Sequence, residues 1–308
     1  MDDTNKIKMT REEYRQYKKK RKMRLKPWAF CIFLLFFLTI LIVSCYKIYS
    51  WNLDNKKIKN LTEDIDKSTK PIANTEEGEL VNPPEDKESD YWYYVNLPFY
   101  DVDFKALKGK NSDTIAFIHM DQTNINYPIV QTTDNEYYLH RAFDKSKNAA
   151  GWVFMDYRNN INNLSDNTVI YGHGRLDKTV FGSLKNALSK SWQENKDNYI
   201  IWLSTPTENM MFQIFSIYTI KSESYYIQTS FSTEAKKQAW INTMVERNTS
   251  PKTAEVTTND KILTLSTCLN DSGGRIVVQA KLIKKQKRQQ WRFLIFYFKV
   301  NYFTSIFN

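Results

Sequence analysis

The sequence predicts a mainly β fold with peripheral helices (α+β), built as a closed barrel of roughly eight strands behind an N-terminal transmembrane helix. Short β-branched or aromatic segments follow one another from residue 114 to residue 283, and turns rich in Asn, Asp, Ser and Gly separate them. Only three helical segments are predicted, one before this series and two within it, which favours an antiparallel-rich barrel over an alternating βαβ fold. A chain of 308 residues with only 3 Cys is also no disulfide-rich mini-fold.

The excess of basic residues lies at the two ends of the chain. Lys and Arg number 44 against 34 Asp and Glu, a net charge of +10. Residues 1–26 hold 11 basic and 4 acidic side chains, and residues 281–308 hold 7 basic and no acidic ones. The body between them is therefore mildly acidic. A broad phosphate-binding face is not expected there, and we predict no nucleic-acid partner.

An uncharged apolar run at residues 28–46 follows a basic tail at residues 1–27. At about 1.5 Å per residue, a helix of this length spans nearly the thickness of a bilayer's hydrocarbon layer. Lys and Arg are concentrated before the run, and only Lys47 follows it closely. We therefore predict a single-pass protein of the cell membrane with its N-terminus inside and its body outside.

Two other readings of this run stay open. A cleaved secretory signal would require small residues of the A-x-A type after the run, and the sequence has none there. The stretch from Ile42 to Cys45 resembles a bacterial lipoprotein signal, and cleavage before Cys45 would leave a lipid anchor. The basic region ahead of the run is long for such a signal. With a helical or a lipid anchor alike, the body is tethered outside the membrane.

Residues 47–89 are rich in Asn, Lys, Glu and Asp. Such a composition buries little apolar surface, so we expect a polar stalk that acts as a spacer. A weak helical pattern from Leu53 to Ile65 predicts that the membrane helix continues into this stalk for a few turns. A catalytic domain at 90–284 and a basic, aromatic tail at 285–308 complete the predicted organisation.

The catalytic domain contains the predicted regular elements. The strands are Thr114–Met120, Ile125–Gln131, Trp152–Met155, Thr168–Tyr171, Tyr199–Leu203, Met211–Ile220, Lys261–Cys268 and Arg275–Ile283. The helices are Asp101–Lys108, Phe181–Leu188 and Thr233–Val245. For the last helix we predict Ser232 as the N-cap and an apolar side of Ala235, Ala239, Trp240 and Met244.

Cys268 is the single cysteine outside the membrane segment and its border. An unpaired cysteine in an oxidising compartment suggests a reactive thiol, although free cysteines are also common in protein cores. Cys268 ends the stretch Leu263-Thr264-Leu265-Ser266-Thr267-Cys268, whose leucines alternate with polar residues. We expect the leucines to face the core and the thiol to lie on the polar face, at the rim of the strand.

A nucleophilic cysteine needs a base and a group that stabilises charge. His173 lies between Gly172 and Gly174 at the end of an apolar strand, a setting that suits a site, whereas His119 and His140 are expected to be structural or surface residues. Arg275 opens the strand after Cys268, where a guanidinium can hold a substrate backbone or stabilise an oxyanion. No His, Cys or carboxylate cluster has the spacing of metal ligands, so neither a metal nor another cofactor is expected.

These residues resemble those of a sortase. Thr264-Leu265-Ser266-Thr267-Cys268, Arg275 seven residues later, and Tyr171-Gly172-His173 upstream are similar to the motifs of these membrane-anchored cysteine transpeptidases of Gram-positive bacteria. The TLSTC form points to class B. The stretches Asn124–Gln131, Asp134–Leu139 and Met155–Asn159 and the Thr233–Val245 helix agree with that class, and the resemblance covers residues 90–284.

The resemblance implies a sortase-type eight-stranded β-barrel and a two-step reaction. Cys268 would attack the carbonyl after the Thr of a C-terminal pentapeptide sorting signal and form a thioacyl enzyme. His173 would protonate the departing amine and then help deprotonate the incoming one, while Arg275 would steady the oxyanion. Ser266 and Thr267 are candidate substrate contacts beside the thiol. Tyr226 and Ile227 resemble the substrate-groove wall of class B.

The implied partners are surface proteins with a sorting signal, which could be NPQTN-like or SPKTG-like, and a peptidoglycan precursor amine similar to lipid II. Pilin polymerisation through a Lys amine is an alternative function, and a non-catalytic, membrane-tethered binding module is another. A papain-like protease is disfavoured because the Cys-Gly-Ser-Cys-Trp context is absent.

Two features depart from the family pattern. Leu269 follows the cysteine, where many class B enzymes have an acidic residue, and it is open whether Asp271 substitutes. The tail at 285–308 extends past the expected end of the domain. Its apolar run is too short to span a bilayer, so it is either a basic, aromatic segment that lies on the membrane surface or an accidental extension.

Overall fold

The computed structural model describes residues 10–22, 26–69, 72–221, 223–252, 254–269 and 274–288. Its helices are α1 (Arg11–Lys22), α2 (Pro27–Thr69), α3 (Tyr91–Tyr94), α4 (Phe104–Lys110), α5 (Lys190–Glu194) and α6 (Glu234–Glu246). Its strands are β1 (Ile72–Asn74), β2 (Glu79–Leu80), β3 (Phe99–Asp101), β4 (Thr114–Met120), β5 (Ile125–Val130), β6 (Phe154–Met155), β7 (Asn167–Gly172), β8 (Ile200–Ser204), β9 (Glu208–Lys221), β10 (Ile262–Leu269) and β11 (Gly274–Lys287). Short 3₁₀ helices are Tyr137–Leu139, Gly182–Leu188, Lys196–Tyr199 and Tyr225–Ile227.

Eight strands close into a barrel in the order β10-β7-β6-β5-β4-β8-β9-β11, and β11 pairs back onto β10. The pairs β10–β7 and β5–β6 are parallel, and the other neighbours in the ring are antiparallel. The prediction of a closed, antiparallel-rich, eight-stranded barrel is confirmed. Outside the ring, β2 extends the sheet at β11, and β1 pairs with β3.

Each predicted strand has a counterpart, but three bounds differ markedly. The strand predicted at Trp152–Met155 is reduced to Phe154–Met155. The strands predicted at Met211–Ile220 and Arg275–Ile283 lengthen to Glu208–Lys221 and Gly274–Lys287. These two long strands pair with one another over nearly their whole length, so main-chain hydrogen bonding carries them beyond the apolar residues that defined them in the sequence.

The helix after residue 232 lies almost where it was predicted, but its cap and its buried face differ. Thr233, and not Ser232, is the N-cap, and its side chain accepts from the Lys236 amide. The buried residues are Lys237, Trp240, Ile241 and Met244, whereas Ala235 and Ala239 are exposed. The helix packs through Trp240 and its neighbours on an apolar cluster outside the barrel. Larger apolar side chains gain more free energy from burial than alanine, so they face this cluster.

The other two predicted helices also shift. The segment predicted at Asp101–Lys108 becomes α4, and the side chain of Asp103 caps it by accepting from the Ala106 amide. The segment predicted at Phe181–Leu188 is a 3₁₀ helix at Gly182–Leu188.

The chain divides into two compact units, residues 1–53 and 54–308. The first contains the apolar run at residues 28–46, which lies inside α2. This helix is long and apolar enough to cross a membrane, with a mean hydropathy of 2.7 and none of its most apolar window buried. Membrane attachment through this segment is therefore supported by its length and composition.

Within the second unit, the end of α2 packs against the barrel and does not form a polar spacer. Ile58 and Ile65 are fully buried in the main apolar core. Asp66 accepts a hydrogen bond from Asn126 Nδ2 at 2.9 Å, and β2 pairs with β11 further along the chain. Isolated apolar residues seven positions apart lie on one helix face, so a segment of polar composition still docks here.

Candidate active site

The ends of three barrel strands bring the predicted catalytic residues to one place. Cys268 and Arg275 are directly paired in the antiparallel ladder between β10 and β11. In the parallel ladder between β10 and β7 the last pair is Thr267 with Gly172. Cys268 and His173 are the residues that directly follow this pair. The Cys268 side chain and residues 270–273, including Asp271, lie outside the part of the chain that the structure describes.

His173 is held by the main chain of a distant turn. Its Nε2 lies 2.9 Å from the carbonyl oxygen of Leu139, at the end of a 3₁₀ turn. Because a carbonyl oxygen only accepts, Nε2 carries the proton, and Nδ1 is the basic nitrogen of the neutral ring. Gly151, with φ of +60°, packs so closely on the ring that a Cβ there would be 2.8 Å from its Cδ2.

The surroundings of His173 favour the neutral imidazole. Burial lowers the pKa of His173 below its ordinary value of 6.5, and the positive charges of Arg175 and Arg275 lower it further, while the hydrogen bond to Leu139 acts in the opposite direction. A neutral ring near pH 7 can accept a proton from a nucleophile and return it to a leaving group.

Arg275 lies half-buried at the rim of the same site. Its Nη1 donates to the carbonyl oxygen of Gly274 at 3.1 Å, which occupies only part of its five-donor guanidinium. The electrostatic effect of Arg275 on the His173 ring is consistent with their position at one end of the barrel.

A cleft of about 500 Å³ opens at this end of the barrel. It is lined by Asn135, Glu136, Leu139, Phe154, Tyr171, Gly172, His173, Glu223, Ser224, Tyr226, Ile227, Ser266, Thr267 and Arg275. All four residues predicted as substrate contacts therefore line the same cleft as His173 and Arg275. This volume is within the usual range for small-ligand sites and suits a short peptide segment.

Sequence reasoning did not single out several residues that line the cleft. Asn135 and Leu139 come from the turn between β5 and β6, and Glu223 precedes the Tyr225–Ile227 turn. The stretch Asp134–Leu139 was identified only through the family resemblance, whereas the flanking glycines of His173 had already singled out that residue. For Asn135 and Leu139 the signal in the sequence was their place in a stretch similar to class B sortases. No rule of residue spacing places this turn beside β7.

One wall of the cleft is the 3₁₀ turn Tyr225–Ile227. The hydroxyls of Tyr226 and Ser266 are 2.9 Å apart and hydrogen-bonded, which connects the turn to β10 two residues before Cys268. Arg158 Nη2 donates to the carbonyl oxygen of Ile227 at 3.0 Å. The wall is thus fixed on two sides before any substrate binds.

A buried carboxylate organises the region next to the cleft. Asp156 is fully buried and accepts from the Arg158 guanidinium at 2.7 and 2.9 Å, from the Arg158 amide at 2.9 Å, from Tyr171 Oη at 2.9 Å and from Asn135 Nδ2 at 3.1 Å. Burial alone would raise the pKa of the Asp156 carboxyl, but the hydrogen bonds from Arg158 and Tyr171 outweigh it and lower the pKa. Asp156 therefore stays ionised and holds two cleft residues, Tyr171 and Asn135.

The other histidines and cysteines have different surroundings. His119 contacts Asn126 Oδ1 at 3.1 Å and Asp121 Oδ1 at 3.0 Å and does not line the cleft. Cys31 and Cys45 are exposed on α2. Among the residues that the structure describes, no group of three or more His, Cys, Asp and Glu is arranged to hold a metal ion.

Comparisons with known proteins point to one family. The family model described as the sortase domain matches residues 118–283. Sortase B of Staphylococcus aureus (strain NCTC 8325 / PS 47) is 34% identical over 184 residues, which are 59% of this chain and 75% of that protein. The solved Staphylococcus aureus sortase B–substrate complex is 34% identical, with a TM-score of 0.55 over 59% of this chain and 84% of that one. A Bacillus anthracis protein described as similar to sortase B is 33% identical, with a TM-score of 0.59 over 76% and 98%.

Proposed function

The chain belongs to class B of the sortase family of cysteine transpeptidases, and from this premise we propose that Cys268 is its nucleophile, His173 its acid–base group and Arg275 its oxyanion-stabilising residue. The single observation that carries the proposal is the convergence of the ends of β7, β10 and β11. It sets Cys268 opposite Arg275 and makes His173 the next residue after the pair formed by Gly172 and Thr267.

The first step forms a thioester. Nδ1 of the neutral His173 takes the thiol proton as the sulfur of Cys268 attacks the carbonyl carbon after the Thr of the sorting signal. The negative charge that develops on the carbonyl oxygen is stabilised by the guanidinium of Arg275. The carbon–nitrogen bond then breaks, and the imidazolium gives its proton to the departing amine. The product is a thioacyl enzyme with a neutral His173.

The second step transfers the acyl group to an amine. The incoming amine attacks the thioester carbonyl and loses a proton to His173. When the carbon–sulfur bond breaks, the imidazolium of His173 returns this proton to the Cys268 thiolate, which restores the thiol and the neutral ring. Transfer competes with hydrolysis, so the cleft must exclude water from the thioester. Phe154, Leu139 and Ile227 supply apolar surface in the cleft for this purpose.

For the donor we propose a surface protein with a C-terminal pentapeptide sorting signal, and for the acceptor an amine of a peptidoglycan precursor similar to lipid II. Ser266, Thr267, Tyr226 and Ile227 are the proposed substrate contacts, because they line one cleft with His173 and Arg275. The N-terminus is proposed to lie inside and the catalytic unit outside, since the basic cluster precedes the apolar run.

The test uses the full chain in detergent and its Cys268→Ala variant. Each is incubated with sorting-signal peptides of the NPQTN and SPKTG types and an excess of an amine, and the products are identified by mass spectrometry. We expect cleavage after Thr with the amine joined to it, in the wild type alone. Equal product formation by the Cys268→Ala variant, or cleavage at another bond, would contradict the proposal. A preference for a Lys side chain as the amine would favour the pilin-polymerising alternative.

A further inference from the structure

Asn167, the first residue of β7, donates to three main-chain carbonyls, one in the cleft wall Tyr225–Ile227 and two in the residues directly after it. Its side-chain Nδ2 donates to the carbonyl oxygens of Tyr226 at 3.1 Å and Gln228 at 2.9 Å. Its main-chain amide donates to the carbonyl oxygen of Thr229 at 3.2 Å. Asn167 is fully buried, so its side-chain amide depends on these protein acceptors and not on water.

The hydrogen-bond polarity at Asn167 is determined by its partners. Backbone carbonyl oxygens only accept, so the amide nitrogen of Asn167 must face them, and its oxygen must face Thr264. Thr264 Oγ1 donates to Asn167 Oδ1 at 2.7 Å and accepts from Gln279 Nε2 at 3.2 Å. A directed chain of hydrogen bonds therefore runs from β11 through β10 and β7 to the wall.

The strands joined in this way are those of the catalytic residues. Asn167 begins the strand after which His173 follows, and Thr264 lies four residues before Cys268 in the adjacent parallel strand. Asn167 thus sets the wall in a fixed position relative to the acid–base group and the nucleophile. It touches neither of them, and it is absent from the cleft lining.

We propose that Asn167, oriented by Thr264, is a positioning residue that presents Tyr226 and Ile227 to the sorting signal and so determines substrate affinity and selectivity. This inference rests on the proposed function, because it assigns these two residues to the substrate groove. A buried amide that satisfies two carbonyls at once has no equivalent substitute. An aspartate there would place an oxygen against two other acceptors.

The experiment compares Asn167→Asp with Asn198→Asp in the full chain. Asn198 is a matched control, because it is also buried and donates to a backbone carbonyl, that of Trp192 at 2.8 Å, but it does not line the cleft. Amide hydrogen exchange of residues 223–230 reports on the wall directly. The kinetic readout is KM and kcat with NPQTN and SPKTG peptides, alongside the rate of Cys268 alkylation.

For Asn167→Asp we expect faster exchange in the wall, a rise in KM of about tenfold, and a changed ratio of kcat/KM between the two peptides. We expect kcat and the alkylation rate to stay within about twofold of wild type. The control loses a buried hydrogen bond of the same kind and should lose stability, but its KM, its selectivity and the exchange of residues 223–230 should match wild type. A loss that is purely structural would lower the active fraction, and hence kcat, with KM and selectivity unchanged, and this result would overturn the inference. Unchanged exchange would overturn it as well.

A second pair of variants applies if Asn167→Asp does not fold. Thr264→Val removes the hydroxyl that orients Asn167, and Thr264→Ser keeps it. The inference requires the raised KM and faster exchange in the valine variant and their recovery in the serine variant, and equal behaviour of the two would overturn it. If wild type processes neither peptide, the proposed function fails on these substrates, and the exchange data alone decide whether Asn167 holds the wall.

Discussion

The carbonyl oxygen of Leu139 accepts a hydrogen bond from His173 Nε2 at 2.9 Å, so the ring of this proposed acid–base group is oriented by main chain from a turn more than 30 residues away. Trp152 donates its amide to the neighbouring carbonyl of Tyr138 at 2.9 Å, which ties this turn to the chain beside Gly151. The orientation of the His173 ring therefore depends on the position of the main chain in this turn, and not on the side chains of the turn.

Gly151→Ala should disturb this arrangement. A Cβ at this position would lie 2.7 Å from the carbonyl oxygens of both Leu139 and Tyr138, and the positive φ adds about 1–2 kcal/mol of strain for any L-residue. We expect turnover of a sorting-signal peptide to fall at least about tenfold. Gly109→Ala is the control, since nothing lies within 4 Å of a Cβ there and alanine favours the helix. Equal activity of the two variants would contradict the prediction.

The lowered pKa of His173 predicts a dependence of stability on pH. The folded state resists protonation of this buried ring, whereas the unfolded chain binds the proton at the ordinary value of 6.5. The contribution of His173 to stability is therefore complete above pH 6.5 and is lost as the pH falls from there toward the folded pKa. We expect the melting temperature to fall less between pH 7.5 and pH 5.5 in a His173→Gln variant than in wild type, as followed by tryptophan fluorescence in detergent. A steeper fall of the melting temperature in the His173→Gln variant than in wild type would contradict the prediction.

Asp156→Asn should destabilise the fold and weaken the cleft. The amide keeps the shape of the carboxylate but replaces one acceptor oxygen with an NH2 donor, which then faces donors of Arg158, Tyr171 or Asn135. We expect a loss of about 1–3 kcal/mol of unfolding free energy, together with reduced turnover. Asp144→Asn is the matched control, because Asp144 forms an exposed ion pair with Lys57 and should cost less than about 1 kcal/mol. The prediction fails if the two variants lose equal stability in thermal unfolding.

Local patterns in the sequence were sufficient to predict the barrel strands. In β10 the two leucines predicted to face the core, Leu263 and Leu265, are fully buried, although the barrel also buries their polar neighbours Thr264 and Ser266. The approach of Arg275 to Cys268 is also local, because the two residues pair across adjacent strands. His173 was singled out by its flanking glycines at the end of an apolar strand, but its place beside β10 has no local signal, because the parallel pairing of β7 with β10 joins segments about 95 residues apart.

Other features could not be predicted because their cause lies in tertiary contacts. The buried face of α6 includes Ile241 because this helix packs on the apolar cluster beneath it. The carbonyl that holds His173 belongs to Leu139, and a carbonyl has no signature in the sequence. The polar average composition of residues 47–89 predicted a spacer, but Ile58 and Ile65 within this segment are fully buried.

Ile58→Ala tests whether the end of α2 is part of the folded unit. Ile58 is fully buried among the core residues, so truncation leaves a cavity that should cost about 2–4 kcal/mol. We expect a lower melting temperature and faster proteolysis or hydrogen exchange within residues 54–69. Lys59→Ala is the control on the same helix turn, because the Lys59 side chain is 74% exposed and makes only a 4.0 Å ion pair with Glu63. A spacer with no structural role would respond equally to both substitutions, whereas a docked helix requires the loss to be confined to Ile58.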